Sequence, residues 1–203
     1  MAKASSLLCL PCRLLGCILN LICTILLLVI IAAVAIYVIY RPNYLKFHVV
    51  NASLTEFKLT NDSNNLVHNL KIDVAARNPN KKIGVYYDHI EAVVLYGGEE
   101  FDRVILDGFH QGSKNTTLIK PVFQGNGTVR LGGSDIKQFN KESNDGAFNI
   151  DLRMFLRVRF KVGILKTFTF KPKVKCDVKV PLTANGAAVD AFAVKKCEVH
   201  YHG

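Results

Sequence analysis

Several absences limit what this 203-residue chain can be. It has no tryptophan, so phenylalanine and tyrosine must supply the aromatic part of any core. It also lacks the G-x-S-x-G nucleophile turn, the H-E-x-x-H zinc motif, the P-loop and the glycine-rich dinucleotide fingerprint. His200 and His202 share one face of a predicted strand, but no third metal ligand accompanies them. We therefore expect a protein that is not an enzyme and that uses no cofactor or metal.

A further absence is that of charge between Arg13 and Arg41. The run Leu14–Tyr40 contains only two clearly polar side chains, Asn20 and Thr24, and has no polar face. At about 1.5 Å per helical residue it is long enough to cross a hydrocarbon core of roughly 30 Å. The run predicts a transmembrane helix over residues 14–40, after a short cytosolic tail (1–13) and before one domain (41–203).

A cleaved signal peptide is the alternative interpretation of this run. Ala33-Val34-Ala35 resembles a cleavage site, and Lys3 and Arg13 give a basic start. However, the apolar run before Ala35 exceeds the roughly 7–15 residues of a signal peptide and continues to Tyr40. A membrane anchor is therefore favoured.

The chain is basic, with 26 Lys and Arg against 16 Asp and Glu. Such an excess is typical of proteins that bind nucleic acid, anionic lipid or acidic polymers. A membrane anchor argues against nucleic acid, so either a solvated basic face or an anionic surface partner is expected. The sequence leaves open whether the protein forms homo- or hetero-oligomers.

Sequons and cysteines indicate which side of the membrane the domain occupies. Four N-x-[ST] sequons follow the apolar run, and they begin at Asn51, Asn61, Asn115 and Asn126. No cysteine lies between residues 24 and 175, which leaves Cys176 and Cys197 as the only pair in the domain. Glycans and disulfides both form in the secretory lumen. We therefore expect a disulfide between these two cysteines, a cytosolic N-terminus and an extracellular domain.

Three further cysteines lie at the cytosolic end of the predicted span: Cys9, Cys12 and Cys17. Juxtamembrane cysteines are common sites of reversible palmitoylation. The alternative is that they are plain apolar residues at a helix end. A metal or redox site at Cys9-x-x-Cys12 would need further ligands that the tail does not contain.

After residue 42 the hydrophobic pattern changes to a period of two, which is typical of strands. One helix, Ser134–Lys141, is expected, with Ser134 as its N-cap. Little helix and many Gly and Asn turns favour an all-β fold, an antiparallel β-sandwich of the fibronectin-III or immunoglobulin type, after the transmembrane helix. The predicted strands are Phe47–Val49, Leu54–Leu59, Leu66–Arg77, Ile83–Tyr96, Phe101–Phe109, Thr116–Phe123, Phe148–Val162, Phe168–Val180 and Val194–Tyr201.

The predicted hairpin 148–180 places many cations on one face of its sheet. These are Arg153, Arg157, Arg159, Lys161, Lys171, Lys173, Lys175 and Lys179. One interpretation is a solvated face whose lysines also prevent pairing between sheet edges. The other is a surface for polyanions such as acidic polysaccharide, lipid headgroups or an acidic protein. The sequence does not decide between them.

Asn78-Pro79-Asn80-Lys81-Lys82 lies between two predicted strands and is typical of a turn. We expect the asparagines to cap the turn or to adopt left-handed conformations, and the lysines to be solvated. With the residues that follow, this segment reads Arg77-Asn78-Pro79-Asn80-Lys81-Lys82-Ile83-Gly84-Val85-Tyr86-Tyr87-Asp88.

This segment closely resembles the signature of the plant harpin-induced and non-race-specific disease resistance-like family, which carries a late embryogenesis abundant group-two domain. Similar blocks occur at Phe109–Thr117, Arg157–Gly163 and Lys171–Cys176. The resemblance implies a glycosylated, membrane-anchored β-sandwich at the plasma membrane, associated with pathogen responses, the hypersensitive reaction, senescence and abiotic stress. It implies no catalytic residues, and a motif that builds the fold. Relatives usually have a longer, often proline-rich cytosolic tail.

Two hypotheses about function follow. In the first, the protein is a non-enzymatic interaction protein in defence or stress signalling, or in adhesion between cell wall and membrane. In the second, the sandwich is a module that binds lipid or another small ligand between its sheets.

Overall fold

A computed structural model describes residues 10–40, 43–60, 65–183 and 192–201. The chain forms two compact units, residues 1–41 and residues 42–203. The first unit contains helix α1, Leu10–Tyr40, which begins four residues before the predicted span. Its segment Leu15–Ala35 is long and apolar enough to cross a membrane, and none of it is buried. This helix is compatible with single-pass membrane anchoring.

The second unit contains strands and one further helix, α2, Gly133–Asp145. The strands described are, in chain order, β1 Lys46–Leu59, β2 Asn65–Arg77, β3 Ile83–Tyr96, β4 Glu99–Leu106, β5 Phe109–Gln111, β6 Thr116–Ile119, β7 Val122–Thr128, β8 Ala147–Val162, β9 Leu165–Lys166, β10 Lys173–Pro181, β11 Lys195–Lys196 and β12 Glu198–His200.

These strands form two antiparallel sheets. One has the order β11-β1-β2-β6, with β7 also paired to β2. The other has the order β12-β10-β8-β3-β4, with β5 paired to β3 and β9 paired to β8. Between their bulges the long strands bury mostly alternate residues, and the buried side chains of both sheets join in one core. The predicted all-β sandwich is confirmed.

Aromatic rings fill one part of this core, as the absence of tryptophan requires. Phe57, on the first sheet, lies with its ring centroid 4.6 Å from that of Phe148 and 5.5 Å from that of Tyr96, both on the second sheet. Phe101 and Phe139 complete the cluster at 5.5 and 5.7 Å from Phe57. Aromatic contacts of this kind add to the burial energy of each ring.

The predicted strands Leu66–Arg77 and Ile83–Tyr96 are confirmed as β2 and β3. The prediction of short strands around a polar turn near residue 50 was wrong, because β1 is continuous through this region. Register shifts between Val49 and Asn51 and between Leu54 and Glu56 act as bulges. A bulge inserts an extra residue and so changes which parity faces the core, which broke the alternation in the sequence.

The predicted strand Thr116–Phe123 is two strands, β6 and β7, separated at Pro121. Proline has no N–H to donate to the ladder, although its carbonyl accepts a bond from the Ile72 N–H at 3.2 Å. Ser134 is not the N-cap of α2, since Gly132 occupies that position. The Asp135 carboxylate accepts the Gly132 N–H at 3.1 Å and so supplies the cap interaction.

The C-terminal strand and the predicted strand Phe168–Val180 also differ from expectation. The last segment is two short strands on different sheets, because β11 pairs with β1 and β12 pairs with β10. Cys197 lies where the chain crosses between them. In the other segment β10 begins only at Lys173, and Phe168 and Phe170 precede it on the surface.

Candidate functional site

The motif loop between β2 and β3 is built around two buried asparagines. The Asn78 side-chain nitrogen donates to the carbonyls of Ile83 at 2.8 Å and Gly112 at 3.0 Å. Its Oδ1 accepts from the backbone N–H of Asn80 at 3.1 Å and from the Asn80 Nδ2 at 2.9 Å. The bond from the Asn80 N–H to Asn78 Oδ1 caps the turn, and neither asparagine adopts the left-handed conformation that the sequence allowed. Among the described residues that are not glycine, only Lys114 has a positive φ, at 52°.

Asn80 connects this loop to the start of the domain. Its Oδ1 accepts the Asn43 N–H at 2.6 Å, and its Nδ2 donates to the Asn43 carbonyl at 3.0 Å. We call this the linker end of the sandwich: the end at which β1 begins, β2 ends, β3 begins and β8 ends. The two asparagines hold this end together from inside.

Gln111 and Tyr87 extend the same buried network. The fully buried Gln111 donates from Nε2 to the Ala76 carbonyl at 2.8 Å and to the Thr117 hydroxyl at 3.1 Å. Its Oε1 accepts the Tyr87 hydroxyl at 3.3 Å. Burial raises the pKa of Tyr87 far above its usual range, with a smaller contribution from Tyr201. These contacts show that motif residues hold the fold together.

The remaining motif residues lie nearer the surface. Lys81 and Lys82 are exposed and Pro79 is half-buried. A Cβ on Gly84 would come within 3.0 Å of His110 Nε2, and the Tyr86 ring packs on the His110 ring at 4.3 Å. This part of the motif is thus a packing surface between β3 and β5.

Asp88, the last motif residue, neutralises one of the predicted basic-face residues. The Arg159 guanidinium donates from Nε and from Nη2 to the two Asp88 carboxylate oxygens, each at 2.6 Å. The hydrogen bond from Arg159 holds the pKa of Asp88 below its usual value, although partial burial acts in the opposite direction. Arg159 is therefore already paired with an anion within its own sheet.

Within the part of the chain that the structure describes, the other cations of the predicted basic face form no such ion pair. Among the described residues, no carboxylate lies within 4.0 Å of the charged nitrogens of Arg153, Arg157, Lys161, Lys171, Lys173, Lys175 or Lys179. Register places Lys175 opposite Arg153, and Lys173 opposite Phe155. These side chains lie on the outer side of the second sheet, opposite the buried residues of the same strands.

Arg153, Lys173 and Lys175 line a surface cleft of about 380 Å³ together with Phe155 and His200. We call this the basic cleft. The Lys173 ammonium lies 5.8 Å from the centre of the Phe155 ring, close enough for a cation–π contact. Several cations beside an aromatic ring make a surface that attracts anionic groups and can pack against a sugar or another planar group.

An acidic pair separates Lys179 from the basic cleft. Asp151 and Asp177 lie opposite each other in the β8–β10 register and share a hydrogen bond between their side chains. Burial raises the pKa of Asp151, and the charge of Asp177 adds to this shift. The predicted basic face is therefore not one continuous patch, and its positive charge is concentrated at the basic cleft.

The sequons and cysteines of the domain are placed as follows. Asn51, Asn115 and Asn126 are exposed, and Asn61 lies outside the described residues. Cys176 on β10 and Cys197 form a disulfide. Cys17 is exposed on α1, Cys12 lies in α1, and Cys9 lies outside the described residues. No group of three or more His, Cys, Asp or Glu close enough to hold a metal ion occurs among the described residues.

Sequence reasoning missed two contributors to the site. Phe155 was not among the predicted site residues, and its place between Arg153 and Arg157 on one strand face was the available signal. His200 joins the basic cleft only because β12 pairs with β10, a pairing that no local pattern indicates.

Comparison with known proteins identifies similar chains. Residues 73–176 match the family model described as late embryogenesis abundant protein (LEA_2). NDR1/HIN1-like protein 3 of Arabidopsis thaliana is 44% identical over 188 residues, which are 92% of this chain and 81% of that protein. NDR1/HIN1-like protein 10 of the same plant is 42% identical over 193 residues, covering 94% of this chain and 85% of the relative. NDR1/HIN1-like protein 2 is 36% identical over 80% of this chain and 68% of its own length.

Proposed function

Because this chain belongs to the NDR1/HIN1-like proteins of the late embryogenesis abundant group-two (LEA_2) family, we propose that it is a non-enzymatic interaction protein of the plant plasma membrane. Its family supports a role in plant stress or defence, and neither NDR1/HIN1-like nor LEA_2 proteins are known as enzymes. In this proposal the outer β-sandwich presents the basic cleft to an acidic partner during defence or stress signalling.

The proposed topology has a cytosolic tail (1–13), a span (14–40) and an extracellular domain (41–203). The apolar helix, the disulfide and the exposed sequon asparagines Asn51, Asn115 and Asn126 support it. In this orientation Cys9, Cys12 and Cys17 are at the cytosolic membrane surface, where palmitoylation would strengthen the anchor. Asn61 is a fourth proposed glycan site.

One observation carries the proposed binding role: Arg153, Lys173 and Lys175, none of them within 4.0 Å of a described carboxylate, line one cleft with the half-buried ring of Phe155. A solvated face that served only to prevent edge pairing would not need to gather cations beside an aromatic ring in a cleft that extends from the edge strand β12 to β8 inside the sheet. The partner chemistry that fits best is an acidic polysaccharide, because repeated carboxylates match the spaced cations and sugar rings pack on aromatic faces.

The alternative of a ligand between the sheets finds less support. The space between the sheets near Phe57 is filled by the rings of Tyr96, Phe101, Phe139 and Phe148, all of them buried. A lipid chain there would have to displace these rings. Binding at the outer surface of the sandwich is therefore favoured.

Charge reversal tests the proposed binding surface. We expect the Arg153→Glu, Lys173→Glu, Lys175→Glu triple variant to lose binding to immobilised polygalacturonate, while the wild type binds in a manner weakened by salt. The matched control reverses three exposed lysines elsewhere, Lys120→Glu, Lys137→Glu and Lys141→Glu, with the same change in net charge. Equal loss in both triple variants would show that net charge alone drives binding, and unchanged binding in the first would contradict the proposal.

A further inference from the structure

The turn that follows β8 carries an apolar tip that the sandwich leaves exposed. Ile164 is 94% exposed, Phe168 92% and Leu165 71%. A single exposed apolar side chain is common, but three large ones on one short turn are not explained by chance. We call Ile164, Leu165 and Phe168 the hairpin tip.

The hairpin tip is held in place by hydrogen bonds. Val162 pairs with Leu165 around a two-residue turn, and Gly163 at its first position has a φ of 60° that favours glycine. The Thr167 N–H donates to the Phe160 carbonyl at 2.9 Å, and the Phe160 N–H donates to the Thr167 hydroxyl at 2.9 Å. The backbone therefore presents these apolar side chains to the surroundings in a defined structure.

Cations flank the hairpin tip. Lys166 lies within it, with its ammonium 4.5 Å from the centre of the Tyr86 ring, and Lys171 follows it, exposed. Exposed apolar side chains bordered by lysines are the chemistry of segments that lie at a membrane surface: the apolar groups enter the headgroup region and the lysines meet phosphates.

Strand register places the hairpin tip at the linker end. Val162, the residue before the turn, pairs with Ile83, the first residue of β3. The loop before Ile83 contains Asn80, which binds Asn43 at the start of the domain. The hairpin tip thus projects beyond the same end of the sandwich at which the chain enters it.

A second group of side chains with interfacial character lies at this end. Tyr44 is 75% exposed and packs on Tyr201 with ring centroids 5.2 Å apart. Exposed lysines of β1 and β11, Lys46, Lys195 and Lys196, line the same depression as Tyr44. Tyrosines and lysines are enriched where proteins meet lipid headgroups.

Chain connectivity limits how far the linker end can be from a bilayer crossed by α1. Only residues 41 and 42 separate Tyr40, the last residue of α1, from Asn43. Three Cα–Cα steps span at most about 11 Å. A protein partner is a less fitting occupant of the hairpin tip, because so short a connection leaves little room for one between the tip and the membrane.

We propose that the hairpin tip inserts into the surface of the same bilayer that α1 spans, with Lys166 and Lys171 at the lipid phosphates. This inference rests on the proposed membrane anchoring. Docking through the tip, in addition to the linker, would fix the orientation of the sandwich on the membrane and keep its opposite end, with α2, facing away.

Fluorescence quenching in the full-length protein tests this. Each variant retains the Cys176–Cys197 disulfide and has one free cysteine: Phe168→Cys at the tip, Ser143→Cys on α2, or native Cys23 on α1, with the other free cysteines replaced by serine. Each is labelled with an environment-sensitive dye and reconstituted into phosphatidylcholine–phosphatidylglycerol vesicles that contain nitroxide lipids. We expect quenching and a blue shift at Cys23 and at position 168, and neither at position 143.

The three labels separate failure of the inference from failure of the anchoring. Quenching at Cys23 without quenching at position 168 would overturn tip insertion and leave the anchor intact. A lack of quenching at Cys23 would overturn the anchoring, and tip insertion with it. A label at position 168 that is shielded from aqueous iodide but not quenched by nitroxide lipids would mean that a second copy covers the tip, which also overturns the proposal.

A second pair of variants tests the chemistry of the tip without a label there. We expect Ile164→Ser combined with Phe168→Ser to expose Lys166 and Lys171 in reconstituted protein to faster acetylation by a water-soluble reagent. The matched control, Ser134→Ala combined with Ser143→Ala on α2, should leave the acetylation rate of both lysines unchanged. Equal rates in the serine double variant and the wild type would count against insertion.

Discussion

The side-chain amide of Asn80 forms two hydrogen bonds with the backbone of Asn43, one accepted at 2.6 Å and one donated at 3.0 Å. Asn80 is buried, and its Nδ2 also reaches Asn78 Oδ1 at 2.9 Å. One side chain thus joins the motif loop to the segment that leads from α1 into the sandwich. In this protein the family motif therefore stabilises the linker end through side-chain hydrogen bonds.

Asn80→Ala should destabilise the sandwich, because it removes both hydrogen bonds with the Asn43 backbone and one of the two bonds to the buried Asn78 Oδ1. Each such hydrogen bond contributes about 0.5–1.5 kcal/mol to stability. We expect the free energy of unfolding in urea, measured on residues 42–203 as a separate compact unit, to fall by at least that amount. Lys81→Ala, next to it and exposed, is the control and should change stability by less than about 0.5 kcal/mol. Similar free energies of unfolding for the two variants would contradict this role of Asn80.

The disulfide should stabilise the crossing of the chain between the two sheets. Cys176 and Cys197 are separated by 21 residues, and closing a loop of this size contributes roughly 3 kcal/mol in the chain-entropy model. Replacing both by serine should lower the free energy of unfolding by about that amount. Adding reductant to the wild type should have the same effect and should not affect the serine variant. A wild-type stability that does not respond to reductant would contradict this role.

Glu142 should make the stability of the sandwich depend on pH in the acid range. Burial acts to raise its pKa, but hydrogen bonds from Gln138, Asn149 and Tyr96 outweigh burial and hold the pKa below the usual 4.5. The unfolded chain therefore takes up this proton at a higher pH than the folded one. The stabilisation is complete above about pH 4.5 and is lost as the pH falls through the lower folded pKa.

Glu142→Gln should accordingly be less stable than the wild type near neutral pH, and the difference should shrink as the pH falls below about 4.5. Urea unfolding of both proteins between neutral and acid pH measures this. The exposed Glu99→Gln serves as the control. If the stability difference between Glu142→Gln and the wild type stays constant with pH, the hydrogen-bond geometry of Glu142, and not its charge, is the source of the stabilisation.

Arg159 should contribute less to polyanion binding than Lys175, although both lie on the outer face of one sheet. The Asp88 carboxylate accepts hydrogen bonds from Nε and Nη2 of Arg159, each at 2.6 Å, whereas no described carboxylate pairs with Lys175. We expect Arg159→Ala to leave retention on polygalacturonate almost unchanged and Lys175→Ala to reduce it. Removing the partner, with Asp88→Asn, should strengthen retention. The reverse ranking of the two alanine variants would place the binding surface elsewhere on the sheet.

The sequence predicted those parts of the fold that follow from uninterrupted local patterns. The predicted strand Leu66–Arg77 alternates without a break and agrees with β2, Asn65–Arg77, to within one residue. In β1, two bulges change the parity between Val49 and Glu56, so the same rule divided one strand into pieces. Bulges depend on the partner strand, β2, and this information lies in the pairing rather than in the segment itself.

The candidate site was predicted in composition but not in arrangement. Alternation placed Arg153 and Arg159 on one face, yet only tertiary contacts reveal that Asp88 neutralises Arg159 and that His200 joins Arg153 at the basic cleft. The burial of the motif asparagines was not predicted for a related reason. The cap that Asn78 forms on the turn is local, whereas its burial depends on partners distant in sequence, such as the Gly112 carbonyl.

The electrophoretic mobility of the membrane-bound protein before and after digestion with N-glycanase tests on which side of the membrane the sandwich lies. We expect a downward shift in the wild type, smaller shifts in the single variants Asn51→Gln, Asn115→Gln and Asn126→Gln, and no shift when all four sequon asparagines, including Asn61, are replaced. That result would place the sandwich and its basic cleft outside the cell. A wild-type band that does not move, with the domain also protected from protease added to intact cells, would contradict the proposed topology and place the sandwich in the cytosol.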